Sequence, residues 1–304
     1  MLLETLPDVT CANIVNGALL QKLEARISGL VSGEWVRNTG GSQSAAVSAS
    51  SHHLQAGGSR MRGHCALHSG LALGLSEADA VCVAATAELL HNASLIHDDL
   101  QDRDDTRRGL PAVWKKFGSG VAICTGDLML SAAYASLGGL SDSRKIPAVL
   151  ALVHERTRLA IQGQCDDLGA FKNASIDLSE YIKIVTAKSG ALLSLPLELS
   201  FVASGKTDWL AQARDAAEAF AVAYQIADDL ADVLLDKDSN SLNICLILES
   251  REIGTNALAR AHALGNQYLD KAMALSRELP FNSGSVISKL SFELRPNFVG
   301  GSDR

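Results

Sequence analysis

The chain has 304 residues, a formal net charge of −7, and 47% apolar residues of which few are aromatic. The negative balance argues against a nucleic-acid surface, and the apolar share is enough for a large buried core. A core built from Ala, Leu, Val and Ile favours closely packed helices over a sheet, and one all-α domain over residues 1–304 is expected.

In chain order, Ile14, Val15, Leu19, Leu20, Leu23 and Ile27 predict a helix over 12–32. Residues 33–51 are rich in Gly, Ser and Asn and read as a mobile loop. Gly57-Gly-Ser-Arg-Met-Arg-Gly63 opens the next helix, and a glycine-led helix start with Arg60 and Arg62 favours an anion. Further helices are expected over 77–97, 119–137, 145–168, 177–203 with a kink at Pro196, 208–236, 249–279 and 285–294. Leu110-Pro111 marks a break, and residues 297–304 form a tail. No strand-period run stands out.

Six cysteines, at 11, 65, 82, 124, 165 and 245, include no Cys-x-x-Cys pair and read as reduced core thiols. The opening residues lack a secretory signal, and the longest apolar stretch, 190–203, is too short to span a bilayer. The expectation is a soluble, cytoplasmic protein without a membrane span.

The chemistry concentrates in two clusters. Asp98, Asp99 and Asp102 form Asp-Asp-x-x-Asp at the end of a helical segment, and Asp228, Asp229 and Asp232 repeat it. On a helix, the first and last Asp of each cluster share a face and repel unless a cation sits between them. Oxygen-only ligands suit a hard ion, and Mg²⁺ completes its shell with water and phosphate oxygens. Arg107, Arg108 and Gly109 follow the first cluster, and Arg reads phosphate bidentately. Lys188 is a further candidate cation. If the two Asp helices face a common cavity, six carboxylates could hold two or three Mg²⁺ around one diphosphate, and a departing diphosphate would need a dry apolar pocket.

These motifs resemble the trans-isoprenyl diphosphate synthases, the farnesyl and geranylgeranyl diphosphate synthase family. Leu95-Ile-His-Asp-Asp99 with Asp102 and Arg107-Arg108-Gly109 matches its first aspartate-rich motif. Phe117-Gly118, Gly126-Asp127, Gly163-Gln164 with Asp167, and Lys188-Ser189 match intermediate steps, and Gln225-Ile226 with Asp228, Asp229 and Asp232 matches the second motif. The resemblance implies a type I isoprenoid synthase bundle with a central cavity between the Asp helices. It implies a homodimer that uses Mg²⁺, with Mn²⁺ as a substitute, and condenses an allylic diphosphate with isopentenyl diphosphate. Asp98, Asp102 and Asp228 would be the main metal ligands, supported by Asp99, Asp229 and Asp232. Arg107, Lys188, Ser189 and Gln225 would bind the allylic diphosphate, and Arg62, His91 and Arg108 the isopentenyl diphosphate. Ala93 and Ser94, small where farnesyl-type members often carry an aromatic, imply a product of C20 or longer.

Two departures stand out. Ser59 replaces the lysine of the family's Gly-Gly-Lys, with Arg60 beside it, and after Asp236 only Lys237 stands in for a later Gly-Lys. They keep open a terpene cyclase-like or atypical coupling enzyme on the same fold. Further from the pattern are a non-catalytic partner subunit and a metal phosphohydrolase built on His97-Asp98 with His64, His68 or His91.

Overall fold

The computed structural model describes residues 15–33, 44–170, 176–239, 241–251 and 256–298. Among them are thirteen α-helices and one hairpin of two-residue strands, which divide into two units, before and after about residue 150. The all-α expectation holds.

In the first unit, α1 (Gly17–Ser32) buries Leu19, Leu23, Ile27 and Val31, a four-residue repeat that lays one stripe against α4 (Glu77–Asp102). A helix absent from the sequence reading, α2 (Ala45–Gln55), starts at Ser44, whose Oγ accepts from Val47 N at 3.3 Å. The loop expected over 33–51 is therefore helical from residue 45, because Ser44 acts as a cap and alanines follow it. Residues 34–43 of that loop, like Cys11 and residues 299–304 of the tail, lie outside the described residues.

Helix α3 (Met61–Ala72) also packs on α4. From Ala80 to Leu90 α4 is buried on every side, and its alanines let neighbours approach closely. After a short α5 (Val113–Phe117), α6 (Ser119–Leu137) lies along α4. Their hydroxyls are satisfied across the contact: Thr86 Oγ1 donates to Ala133 O at 3.2 Å and Ser136 Oγ to Cys82 O at 2.9 Å. The break read at 110–111 is a hairpin. Strand β1 (Thr106–Arg107) pairs with β2 (Leu110–Pro111), and Arg108 and Gly109 make the turn with φ of 51° and 75°.

His53 pins α2 to α4. Its Nε2–H donates to Asn92 Oδ1 at 3.0 Å, and Asn92 Nδ2 donates to Glu88 O at 2.7 Å. Burial, reinforced by the Arg108 guanidinium, pushes the His53 imidazole down to about 3.

The second unit contains α7 (Ile146–Ala170), α8 (Leu178–Val185), α9 (Ala191–Ser204), α10 (Leu210–Ser239), α11 (Ile244–Arg251), α12 (Ala257–Glu278) and α13 (Ser285–Leu294). The helix expected over 177–203 is interrupted by a π-helical turn at Thr186–Gly190, and Pro196 sits inside α9. The helix expected over 249–279 is two, with Asn256 capping α12 by accepting from Ala259 N at 3.1 Å. Of the cysteines expected in the core, Cys65, Cys82 and Cys245 are buried, but Cys124 and Cys165 are exposed on α6 and α7. Ser119–Leu137 and Leu178–Ser204 are long and apolar enough to cross a bilayer, but 72% of the second is buried in the fold, as in a core helix.

A buried ion network ties this unit together. Glu198 of α9, fully buried, accepts from Arg156 Nη2 of α7 and Arg214 Nε of α10, both at 2.9 Å, and from Ser194 Oγ at 2.8 Å. Arg156 also donates to Glu218 at 3.3 Å. Removing one partner of such a network strands the others in low dielectric.

Two stability predictions follow from these contacts. Glu198→Ala leaves Arg156 and Arg214 without their shared carboxylate, and denaturant unfolding followed by circular dichroism should show a loss of about 3–5 kcal/mol; a loss under about 1 kcal/mol would mean that the guanidiniums find other partners. His53 is neutral when folded, whereas the unfolded chain protonates it near 6.5. Its contribution is therefore intact above that pH and is lost as pH falls towards 3, by about 2 kcal/mol between pH 8 and pH 5. His53→Gln should flatten the fall in unfolding free energy over that window, and equal slopes would show a charged imidazole in the fold.

Candidate active site

The last turn of α4 carries the first acidic cluster, and its three carboxylates differ in environment. Asp99 is fully buried and accepts from Arg107 Nε at 2.8 Å and from Arg107 Nη2. Asp98 is half-buried and Asp102 exposed, one turn apart on one side of the helix. Both add negative charge where the helix dipole is already negative, which a divalent cation would relieve. Arg103 ends the helix in the left-handed region at φ 63°.

The hairpin after it delivers two guanidiniums. Arg107 reaches back to Asp99, and Arg108, in the turn, donates from Nη1 to Gly57 O. A Cβ at residue 58 would lie 2.7 Å from the Arg108 guanidinium carbon, so this approach needs Gly58, whose φ is 135°. Arg62 is buried on α3, and burial, with Arg62 and Arg108 alongside, holds the His91 imidazole well below its usual range. Arg62, His91 and Arg108 thus form a basic pocket whose histidine is neutral. Arg60 donates to Glu24 at 2.6 and 3.2 Å and lies 3.7 Å from Glu88, so its charge is matched by two carboxylates. Ala93 is buried and Ser94 half-buried, with its Oγ turned back to His91 O at 2.8 Å.

The second cluster, on α10, repeats the arrangement. Asp229 is buried and accepts from Tyr181 Oη at 2.7 Å, Ile244 N at 2.8 Å and Gln225 Nε2 at 3.0 Å. Burial outweighs these bonds and pushes its carboxyl up to about 7, and it drives the Tyr181 hydroxyl well above its usual range. Asn243 donates to Asp229 O at 2.7 Å and to Asp236 Oδ2 at 2.8 Å. Asp228 and Asp232 are half-buried on one side, and burial and then Asp228 raise the Asp232 carboxyl. Asp236, raised by burial and by Asp232 and Asp228, extends the row. Sequence reasoning missed it, although the four-residue spacing from Asp228 through Asp232 was the available signal.

Lys188 lies in the π turn of the same unit, with Ser189 next to it, and pairs with Asp167 of α7. The α7 backbone passes so close that a Cβ at Gly163 would lie 2.3 Å from Lys188 N. π turns of this kind recur at functional positions because they re-aim one side chain.

Asp99 and Asp229, expected as supporting metal ligands, have carboxylates engaged in buried hydrogen bonds, because each sits on the inward face of its helix. Asp98, Asp102, Asp228 and Asp232 retain exposure. Among the described residues no three His, Cys, Asp or Glu side chains converge as a closed metal site. Pairs of carboxylates that are not fully buried fit Mg²⁺, which keeps positions for water and phosphate. The His97 Nε2 lies 3.8 Å from Asp127 and 3.5 Å from Ile123 O.

Comparison with known proteins agrees with these motifs. The sequence pattern of the family described as polyprenyl synthetase matches residues 44–245. A "Short chain isoprenyl diphosphate synthase" of Methanothermobacter thermautotrophicus is 35% identical over 192 residues, which cover 63% of this chain and 59% of the relative. A "(2E,6E)-farnesyl diphosphate synthase" of Mycobacterium tuberculosis is 36% identical over 160 residues, 52% of this chain and 44% of the relative. The matched segment therefore spans about three fifths or less of these relatives' lengths. The solved structure of a geranylgeranyl pyrophosphate synthetase from Geoglobus acetivorans superposes with a TM-score of 0.78 at 24% identity, covering 90% of this chain and 97% of that one. The fold is the all-helical fold of the isoprenyl synthases, and the chain belongs to the polyprenyl synthetase family.

Proposed function

We propose that the chain is a Mg²⁺-dependent trans-prenyltransferase that joins an allylic diphosphate to isopentenyl diphosphate, acting as one catalytic domain over residues 1–304. The observation that carries this reading is the shared construction of the two acidic motifs. In each, the middle carboxylate is buried while the outer two, half-buried or exposed, lie on one helical side. The relatives' names support the same chemistry.

In this reading Asp98, Asp102, Asp228 and Asp232 hold two or three Mg²⁺, for which Mn²⁺ can substitute, and Asp99 and Asp229 position them. When bound, the metal neutralises diphosphate charge and so improves the leaving group. Arg107 and Gln225, each fixed by its buried Asp, orient the allylic diphosphate together with Lys188 and Ser189. Arg62, Arg108 and neutral His91 hold the isopentenyl diphosphate; His91 donates a hydrogen bond without adding charge. Loss of the allylic diphosphate gives a cation that the isopentenyl double bond attacks, and proton loss yields a diphosphate five carbons longer. Ala93 and Ser94 favour a C20 product. A homodimer in the cytoplasm completes the reading.

A cyclase-like enzyme is the second reading, because Ser59 is neutral and Arg60 is matched by Glu24 and Glu88. Product analysis with dimethylallyl, geranyl and farnesyl diphosphates and Mg²⁺ separates the two. Longer prenyl diphosphates should form only with isopentenyl diphosphate present; hydrocarbon or alcohol formed in its absence would favour the cyclase. In the same assay Asp98→Ala and Asp228→Ala should each reduce turnover at least about 100-fold with the circular dichroism spectrum retained. Wild-type turnover in both would sink the metal assignment.

Product length tests Ser94. Ala93 is buried in helix packing, so Ser94, half-exposed, is where an added ring finds room. Ser94→Phe should shorten the main product from C20 to C15 by mass spectrometry, and an unchanged length would put the end of the pocket at other residues.

A further inference from the structure

The hairpin that carries Arg107 and Arg108 is only two residues per strand, too small to hold its own shape. Three outside contacts fix it. Arg107 grips Asp99 of α4, and Arg108 grips Gly57 O. The third comes from α2. His52 Nε2–H donates to Pro111 O on β2 at 2.9 Å, and His52 Nδ1 accepts from Lys116 Nζ at 3.0 Å. Both bonds need one tautomer, with the proton on Nε2. The ring is nearly buried and stands edge-on to Phe117, their centroids 5.5 Å apart. The adjacent His53 clamps α2 to Asn92 of α4, so the helix that carries His52 is itself anchored beside His91.

We propose that His52 is a positioning residue for the basic pocket: through Pro111 O it sets the register of the Arg107–Arg108 hairpin against Gly57 and so presents Arg108 to the diphosphate of the second substrate. Arg108 sits at a positive φ that a non-glycine residue does not adopt unaided, so the turn needs a hold on both strands. Arg107 supplies it on β1 and His52 on β2. The role of the pocket rests on the proposed function; the mechanical coupling does not.

The test reads anion binding as well as turnover. Inorganic pyrophosphate in EDTA serves as probe, since without divalent metal the acidic faces repel it and the basic pocket is left to bind it. By calorimetry, His52→Leu should weaken pyrophosphate binding about tenfold. His52→Gln, which can place an amide N–H towards Pro111 O, should recover most of the loss. In steady-state turnover His52→Leu should raise KM for isopentenyl diphosphate about tenfold, with KM for the allylic substrate and kcat changed less than about threefold. If His52→Leu fails to fold, Lys116→Met, which leaves the ring in place but removes its Nδ1 partner, should weaken pyrophosphate binding in the same direction by a smaller factor. Wild-type affinity in His52→Leu, equal loss in His52→Gln, no weakening in Lys116→Met, or no pyrophosphate binding by the wild type would each overturn the proposal. Should the chain make no elongated product, the proposed function fails while the binding series still gives its own outcome.

Discussion

A carboxylate taken out of water is costly unless hydrogen bonds replace its hydration, and both acidic motifs are organised by that constraint. Asp99 receives the Arg107 guanidinium on Oδ1, while its Oδ2 is buried without a hydrogen bond among the described residues, and Asp229 is met by a phenol, an amide and a backbone N–H. Each buried Asp therefore dictates where its partners must stand. Arg107 is held over the end of α4, and Tyr181 of α8 and the start of α11 are held against α10. It also fixes the rotation of its helix, so that the outer carboxylates share the side that remains open. Burial, and after it the neighbouring carboxylates, raises Asp232 and the adjoining Asp236, a state that a divalent cation would relieve.

Around the first motif, positive charge is concentrated without adding a titrating cation. His53 and His91 are both held neutral by burial and by the arginines, so neither adds charge near neutral pH. The arrangement depends on local strain. Arg108 occupies the left-handed region, which costs on the order of 1 kcal/mol or more, and the hydrogen bonds of the hairpin to α4, α2 and Gly57 offset it. Arg60, although next to this pocket in sequence, is balanced by Glu24 and Glu88, so its charge serves the α1–α3–α4 packing.

In the second unit the same logic works through Glu198, which gathers α7, α9 and α10 by their arginines. On the same helix α7, Gly163 lets the backbone pass close to Lys188 N in the π turn. A conservative change at Gly163 would act through packing rather than through any lost functional group.

Much of this was legible in the residues. Segments with a long apolar period and clear breakers came out to the residue, as in α6 between Gly118 and Gly138 and α13 after Gly284. The acidic motifs were legible because their chemistry depends on spacing along one helix, and the basic run after the first because it follows directly in sequence. Helix α2 was hidden by its serines and histidines, whose partners Asn92, Pro111 and Lys116 are distant in sequence. The π turn was hidden because nothing in its local residues distinguishes it from the helices on either side, while its close neighbour Gly163 is distant in sequence. The sequence by itself determined that this is an all-helical chain with two carboxylate faces suited to a metal-bound diphosphate, since helical period and ligand chemistry are local properties. Only the tertiary structure decided that Asp99 and Asp229 are anchors and that Arg60 is balanced by carboxylates, because burial and hydrogen-bond partnership depend on what other segments bring to the same place.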